Sequence, residues 1–459
     1  MNVPWSQAQW EKVLVYGLGV SGLAAVRFLL GRGVSVLGVD DRSAVDLDLG
    51  DLADEPRLDV ARAAALADLP RDVDGVVISP GVARSAPLIE EALRRGTPVI
   101  GEIELAFPFV RGTLVAITGS NGKSTTTALT GSLLEGAGRD AIVCGNIGRP
   151  LIDCVDEPAE VFVAELSSFQ LESVDTFRPR AAALLNLSAD HLDRHGDLAG
   201  YADAKAAIFD RQAEDDVAVF NADDPLVVEI SRRGGSARRR FFSRQSKVED
   251  GCYLEDGIVV EVAPGEGKRP LFASTDVPVP GEHNLENAMA GALLARAVGL
   301  EPGQLSAGLA AFEGLPHRVE RVADRQGVVW YDDSKGTNIG ATLKSLEGFA
   351  DGTVHLILGG RNKGGDAADL SDVVARKASR LYFIGEAAAE FEAALGGFVP
   401  CQQSGTLETA VAEAARLAGD GEIVLLSPAC ASFDQYENFA RRGDHFQSLV
   451  HGLEEVPNG

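Results

Sequence analysis

Lysine is scarce in this chain: 9 of its 42 basic residues, the other 33 being arginine. Four of the nine, Lys123, Lys205, Lys335 and Lys363, nevertheless lie in glycine-rich or polar segments. Where arginine is the default cation, a retained lysine points to lysine-specific chemistry. Cysteine is sparse too. The five (Cys144, Cys154, Cys252, Cys401, Cys430) show neither zinc spacing nor a pairing pattern, which excludes a disulfide scaffold and fits a reducing cytoplasm. Net positive charge is absent. A charge of −26 and a pI near 4.7 argue against a nucleic-acid partner, which needs a basic footprint. Anionic small molecules stay open, because local cations and helix ends decide those. Long apolar spans are missing except at residues 13–30, where Arg27 is the only charge. Glycines inside that stretch make it a strand, turn and helix rather than a signal anchor, so no membrane partner is expected.

What is present is an ordinary globular composition, 45% apolar and 24% charged over 459 residues, enough for about three domains at ~150 residues each. The first third alternates strands and helices. Val13-Leu14-Val15-Tyr16 reads as a strand, Gly17 to Gly22 as a turn, Leu23 to Leu30 as a helix and Val34 to Val39 as the next strand, with further strands at Gly75 to Ser79 and Val99-Ile100. A second unit begins near Thr113, with strands at Leu114 to Thr118, Val161 to Glu165, Ala181 to Leu187 and Val217 to Phe220. Residues 232–275 break the rhythm and read as hairpins. A third unit starts near Gly314, with strands at Val328 to Tyr331, Val354 to Leu358, Leu381 to Ile384 and Ile423 to Leu426. The expectation is an α/β protein of three domains, 1–110, 111–313 and 314–459, each on a mostly parallel sheet. The first and last would be Rossmann-like and the central one a P-loop type of ATPase.

The strongest motif is Gly119-Ser120-Asn121-Gly122-Lys123-Ser124-Thr125, after the apolar run Leu114 to Ile117 and before a helical pattern from Thr126 to Glu135. Loop amides and a helix N-terminus direct partial positive charge to one place, which is a phosphate cradle. Lys123 adds a cation and Ser124 a hydroxyl for Mg²⁺. The loop departs from the strict pattern, since Ile117 stands where the first glycine is usual. Gly17-x-Gly19-x-x-Gly22 with Asp40 downstream matches a dinucleotide fingerprint. A nucleotide-diphosphate substrate fits the same turn, and no hydride-transfer constellation follows it.

Other polar clusters follow strands. Glu165, before Leu166-Ser167-Ser168-Phe169-Gln170, reads either as a Mg²⁺ ligand or as an acid at a capped helix start. Asn186, Asp190, His191 and His195 offer metal ligands or substrate contacts. Spacing alone reads Lys205, in Tyr201-Ala202-Asp203-Ala204-Lys205, as a solvated helix lysine. The arginine run from Arg232 to Arg244 reads as a solvated hairpin rather than an RNA patch. Asp332 to Asn338, Gly359 to Gly365 and Ser427 to Asp434 end three strands of the third unit and together suit a small carboxylate next to phosphates.

These segments together resemble the Mur ligase family. The resemblance is carried by Thr118 to Thr125, Gly145-Asn146-Ile147-Gly148, Glu165 to Leu171, Asn186 to Arg194, Gly314 to Arg318, Asp333-Ser334-Lys335 and Ser427 to Phe433, in the family's order from about residue 13 to residue 450. Ser120 stands where threonine is common, and Gly336 where alanine is common. The pattern is nearest the branch that couples D-glutamate to UDP-N-acetylmuramoyl-L-alanine through an acyl phosphate, releasing ADP and phosphate. The diaminopimelate-adding enzymes and folylpolyglutamate synthetases remain rivals within the superfamily, and a nucleotide-binding regulator without chemistry remains one outside it.

Carried over by position, the resemblance implies that Gly119, Ser120, Asn121, Gly122, Lys123, Ser124 and Thr125 bind ATP phosphates, with Asn287, Arg318 and Asp333 on the nucleotide. Ser124 and Glu165 would serve one Mg²⁺, and His191 and Lys205 a second, Lys205 being carbamylated in the family. Val20, Ser21, Arg42, Gly81 and Asn146 would meet the UDP-sugar, and Thr337, Lys363, Ser432 and Phe439 the D-glutamate. Lys123, His191, Lys205 and Lys335 would carry the catalytic charge. A cytoplasmic, monomeric enzyme of peptidoglycan precursor synthesis is the expectation.

Overall fold

Each of three β-sheets has on an inner strand a run of mostly apolar residues buried on both faces. Such runs are what parallel strands covered by helices require. The computed structural model describes residues 10–43, 47–66, 68–188, 190–233, 235–279 and 281–453. The first sheet holds β1 (Lys12–Tyr16), β2 (Ser35–Asp40), β3 (Leu58–Arg62), β4 (Gly75–Ile78) and β5 (Val99–Gly101). Their order is β3-β2-β1-β4-β5, and every neighbouring pair is parallel. Val13, Leu14 and Val15 of β1 are wholly buried.

The second sheet holds β6 (Thr113–Thr118), β7 (Ala141–Gly145), β8 (Val161–Glu165), β9 (Ala181–Leu184), β10 (Val217–Asn221), β11 (Arg238–Ser243), β12 (Gly251–Glu255), β13 (Ile258–Val262) and β14 (Arg269–Ala273). The order is β14-β13-β12-β11-β10-β9-β6-β8-β7. Only the β12/β13 and β13/β14 pairs are antiparallel. Residues 232–275 are thus only partly hairpins, since β11 pairs parallel with β10 and β12 parallel with β11. The arginine run is correspondingly not solvated throughout. Arg240 is buried, with Nε 3.1 Å from Asp250 and Nη2 2.8 Å from Glu261. A charge at an inward strand position needs such partners to stay buried.

The third sheet holds β15 (Glu320–Arg325), β16 (Val328–Asp332), β17 (Val354–Gly359), β18 (Ala378–Ile384), β19 (Cys401–Gly405) and β20 (Ile423–Leu426), in the order β15-β16-β20-β17-β18-β19. Only β15 runs antiparallel to its neighbour.

The chain folds as two compact units. One takes the chain up to Asp276 together with Glu286–Phe312, and the other takes Val277–Leu285 together with the residues from Glu313 onward. The first unit contains the first two sheets. Val15, Phe28 and Val36 share one apolar core with Leu114, Phe162 and Phe177. A buried carboxylate reinforces that junction: Glu104 accepts the N–H groups of Asp175 and Thr176 at 2.8 Å each and that of Phe177 at 3.2 Å, and also the Thr176 hydroxyl. Among the described residues no helix is long and apolar enough to cross a membrane.

Candidate active site

In the first unit, β6 ends at Thr118 and the chain turns through Gly119 to Gly122 into the helix Lys123–Gly136. Gly122 has φ 83° and caps that helix, and a Cβ there would stand 2.4 Å from Asn287 Oδ1. Backbone handedness and space both require glycine. The turn is tied to the segment after β9. Ser120 N donates to Asn186 O at 3.0 Å, Asn121 N to Asn186 Oδ1 at 2.8 Å, and Asn186 Nδ2 back to Asn121 O at 3.0 Å. Ser120 Oγ accepts from Ser188 N at 2.9 Å and lies 3.2 Å from the Tyr201 hydroxyl. Asn186 therefore shapes the loop, a role its sequence position did not show. Ser124 and Thr125 are buried in the first turn of the helix. Thr126 Oγ1 donates to Asn287 Oδ1 at 3.2 Å, which brings Asn287 to the same loop.

Two lysines converge there. Lys123 Nζ donates to Gly119 O at 2.8 Å and to Ser120 O at 2.9 Å. Lys205, on the helix Leu198–Ala206, donates to Gly119 O at 2.9 Å and to Thr118 Oγ1 at 3.4 Å. At 1% exposure it is not the solvated lysine that spacing suggested. It sits 4.7 Å from the centroid of the Tyr201 ring, one helical turn away. Burial, then repulsion from Lys123, holds its amine well below the usual lysine range, against the pull of Asp190 and Glu165.

Glu165 closes this side of the site. It ends β8, paired with Ile117 of β6 in the sheet register, and is 2% exposed. Its Oε1 accepts from Asn146 Nδ2 at 2.7 Å, while Oε2 is buried with no hydrogen-bond partner among the described residues. It is not the cap of the next helix, because Ser167 and Gln170 form that capping box themselves. A buried carboxylate oxygen without a donor is costly. It fits a cation ligand, with Ser124, in the first turn of the adjoining helix, as the second donor proposed by sequence. The other two proposed ligands fit differently. His191 is exposed, at φ 52°, with its ring 4.8 Å from Phe169. Lys205 as an amine only donates, so it suits a metal only after acquiring oxygen atoms. His195 is a packing residue: Nε2 lies 3.0 Å from Ser168 Oγ and Nδ1 3.2 Å from Glu172.

At the first sheet, Val20 and Ser21 begin the helix Val20–Gly31, Arg42 follows β2 and Gly81 follows β4. In a parallel sheet these lie at one end, the carboxyl ends of the strands. Val20 and Gly81 are exposed. Asp40 is not open to a ribose. Arg42 Nε and Nη2 donate to its two oxygens at 2.9 and 3.0 Å, and Leu18 N donates at 2.7 Å. The Arg42 guanidinium holds the Asp40 carboxyl far below the usual range.

The second unit gathers the remaining candidates at three strand ends. Asp333, after β16, is fully buried and accepts the hydroxyls of Ser345 and Ser427, each at 2.7 Å. Burial pushes its carboxyl up to about 6, with Arg318 among the groups pulling it back. Lys363, in the loop after β17, donates to Thr337 Oγ1 at 3.1 Å. Lys335 Nζ lies 3.9 Å from the centroid of the Phe439 ring. Ser432 is buried in the loop after β20. One residue of this cluster has no counterpart in the sequence reading: Arg442, 1% exposed, reaches Ser334 and Cys430. The only signal available was its place one helical turn after Asn438, the cap of the helix Phe439–His451. His317, Glu320 and Asp332 also lie close enough to share a metal. They already bond one another and Gln447, through contacts of 2.7 to 3.0 Å.

Comparison with known proteins matches three family models to successive stretches of the chain. Residues 11–101 match the model of the Mur ligase MurD-like N-terminal domain, residues 117–295 the Mur ligase middle domain, and residues 317–430 the Mur ligase glutamate ligase domain. Curated proteins of Koribacter versatilis and Pelotomaculum thermopropionicum, both named UDP-N-acetylmuramoylalanine--D-glutamate ligase, are each 43% identical to this chain. Each alignment covers 97% of this chain and 98% of the relative. Among solved structures, the MurC ligase of Thermotoga maritima superposes with a TM-score of 0.60 at 17% identity, over 96% of this chain and all of that one. The Thermotoga maritima MurF ligase, solved with ADP, superposes with a TM-score of 0.60 at 18% identity, over 97% of this chain and 96% of that one. Those structural likenesses establish the shared fold, and the relatives establish the lineage: the chain belongs to the Mur ligase family.

Proposed function

We propose that this chain joins D-glutamate to UDP-N-acetylmuramoyl-L-alanine, using ATP to convert the alanyl carboxylate into an acyl phosphate and releasing ADP and phosphate. The observation that carries the reading is the buried, unpartnered Oε2 of Glu165 beside a phosphate loop that already holds two lysines. The choice of D-glutamate is supported by the names of the curated relatives and by the Thr337, Lys363 and Ser432 cluster.

A carboxylate is a poor electrophile, and phosphorylation makes it reactive. In this reading the amides of Gly119 to Thr125 hold the phosphates, and Lys123 leaves the loop carbonyls to follow the moving charge. Ser124 and Glu165 would hold one Mg²⁺, and His191 and a carbamylated Lys205 a second. Bound there, Mg²⁺ would offset negative charge developing on the phosphoryl oxygens. The amine of Lys205 is placed for that modification: burial favours its neutral form, which adds to CO₂ and loses one proton to give a carbamate. Asn287, Arg318 and Asp333 contact the nucleotide, and Lys335 supplies further positive charge. Val20, Ser21, Arg42, Gly81 and Asn146 contact the UDP-sugar. Residues 1–110 would thus hold the UDP moiety, 111–313 the ATP and 314–459 the amino acid.

The alternative, NAD at the first glycine turn, is disfavoured because Arg42 and Leu18 N occupy the Asp40 carboxylate. All five cysteines are free thiols, in keeping with a cytoplasmic enzyme, and we place it there as a monomer. Incubation with ATP, Mg²⁺ and UDP-N-acetylmuramoyl-L-alanine, varying the amino acid and measuring phosphate, tests the reading. Release should require D-glutamate. Equal turnover with L-glutamate or diaminopimelate would overturn the assignment.

A further inference from the structure

Arg442 is among the largest fully buried side chains of the molecule. It enters the second unit from the first turn of the helix Phe439–His451. Its Nε donates to Ser334 Oγ at 3.0 Å, and its Nη2 donates to Ser334 O at 2.9 Å and to Cys430 O at 3.2 Å. Ser334 Oγ in turn donates to Phe439 O at 2.8 Å, closing a ring back to the helix start. Ser334 belongs to the loop after β16 and Cys430 to the loop after β20. The third loop, after β17, lies against the same group: a Cβ on Gly360 would come 3.2 Å from Nη1 and 2.4 Å from Ala431 O. One guanidinium therefore underlies all three strand-end loops that carry Lys335, Thr337, Lys363 and Ser432.

Its charge is offset only from a distance, by Asp434 and then Asp332 among the carboxylates. Nη1 is buried without a hydrogen-bond partner, and among the described residues no carboxylate forms an ion pair with it. Neither acid bonds to the guanidinium. Asp332 accepts from Ser334 N, His317 and Gln447, and Asp434 accepts from Glu386 N. Every acceptor that Arg442 does have is a neutral carbonyl or hydroxyl. Buried cations in folded proteins are paired or serve a ligand. An anion bound on these loops would complete that compensation.

We propose that Arg442 is the positioning residue of the amino-acid pocket: its fork fastens the Ser334 and Cys430 loops in register, and its fixed charge selects a dicarboxylate as their ligand. This rests on the reading of D-glutamate as the substrate. Lysine cannot replace it, because an ammonium lacks the planar fork that reaches two loops at once.

The test is a comparison of Michaelis constants in Arg442→Lys, Arg442→Met and Ser334→Ala, each checked for folding by thermal melting. The KM for D-glutamate should rise about tenfold in Arg442→Lys and about a hundredfold in Arg442→Met, with a smaller rise in Ser334→Ala. The KM values for ATP and for the UDP-sugar should stay within about twofold. D-Glutamate should raise the melting temperature of wild type but not of Arg442→Met. If Arg442→Met does not fold, Arg442→Lys and Ser334→Ala decide. An unchanged D-glutamate KM in the folded variants, or equal rises for all three substrates, would reduce Arg442 to a structural bolt and overturn the proposal. Wild-type phosphate release that ignores D-glutamate would instead refute the functional reading.

Discussion

Glu104 and Glu165 are both glutamates, both buried, and both in the first compact unit. Glu104 uses its two oxygens to accept from Asp175 N, Thr176 N, Thr176 Oγ1 and Phe177 N. Among the described residues Glu165 has one donor, Asn146, and an oxygen left with none. Burial therefore does not separate a structural carboxylate from a functional one. The count of donors does, because a fully satisfied carboxylate has nothing left to offer a ligand. Lysines show the same contrast. Lys377, in the second unit, is buried but bonds Phe349 O at 2.6 Å and pairs with Asp351 at 2.8 Å. Among the described residues Lys205 hydrogen-bonds only a carbonyl and a threonine hydroxyl and pairs with no carboxylate.

The largest effect expected from breaking this contrast is at Lys205. Lys205→Ala should be nearly inactive, and a small carboxylate such as acetate should restore part of the rate by filling the vacated space. A bare ammonium close to Mg²⁺ would be repelled by about 4 kcal/mol per unit of charge product at 4 Å and an effective dielectric near 20. Lys205→Arg keeps the charge yet should stay inactive, since guanidinium only donates. Wild-type turnover in Lys205→Arg, measured as phosphate release, would remove the second metal site from the scheme.

Next is Glu165→Gln, which keeps the Asn146 contact and removes the charge. Its kcat should fall at least about a hundredfold, roughly 3 kcal/mol of transition-state stabilisation. Its melting temperature should hold or rise, because an unsatisfied buried charge has been neutralised. A variant that melts earlier and keeps its rate would make Glu165 structural.

Glu104→Gln should do the reverse. Replacing an acceptor-only group with an amide sets an NH₂ against backbone N–H donors and should cost about 3 kcal/mol of stability in denaturant titration. The folded fraction should keep its kcat. A large loss of kcat at full stability would contradict the division between the two glutamates.

The smallest expected effect is a slope with pH at Glu102, two residues from Glu104. Ile152 N donates to one of its oxygens at 2.8 Å, the other has no partner among the described residues, and burial pushes the carboxyl up to about 7 from an ordinary 4.5. The folded state thus keeps a proton that the unfolded chain gives up. Its contribution is complete below the ordinary carboxylate range, declines as pH rises through about 7 and then levels off. The total is on the order of 3 to 4 kcal/mol. Glu102→Gln should flatten that part of the stability profile in urea titrations at pH 5 and pH 8. An unchanged slope would mean another group titrates there.

Much of the architecture was legible from the chain itself. Strands such as β1, β8, β17 and β20 announce themselves because a central parallel strand is apolar on both faces. Four strands that the pattern missed, β3, β7, β15 and β19, are all edges of their sheets. An edge strand buries less, and Leu58–Arg62 and Cys401–Gly405 alternate or turn polar accordingly. The phosphate loop was legible because its geometry is local: a strand, two glycines and a helix start lie within a dozen residues.

What the sequence determined alone is therefore the α/β class, the mostly parallel sheets, the phosphate loop and the family that its ordered motifs mark. Each follows from neighbours along the chain or from motif order. The tertiary structure alone decided the protonation and reach of the charged groups. Lys205 is buried because its helix lays it against Gly119, Asp40 is closed on one side because Leu18 N, 22 positions away, folds onto it, and among the described residues Glu165 and Arg442 each keep one unsatisfied atom. The physical reason is range. Backbone pattern is set over a few residues, whereas desolvation and hydrogen-bond satisfaction depend on groups tens to a hundred positions away, which only packing brings together.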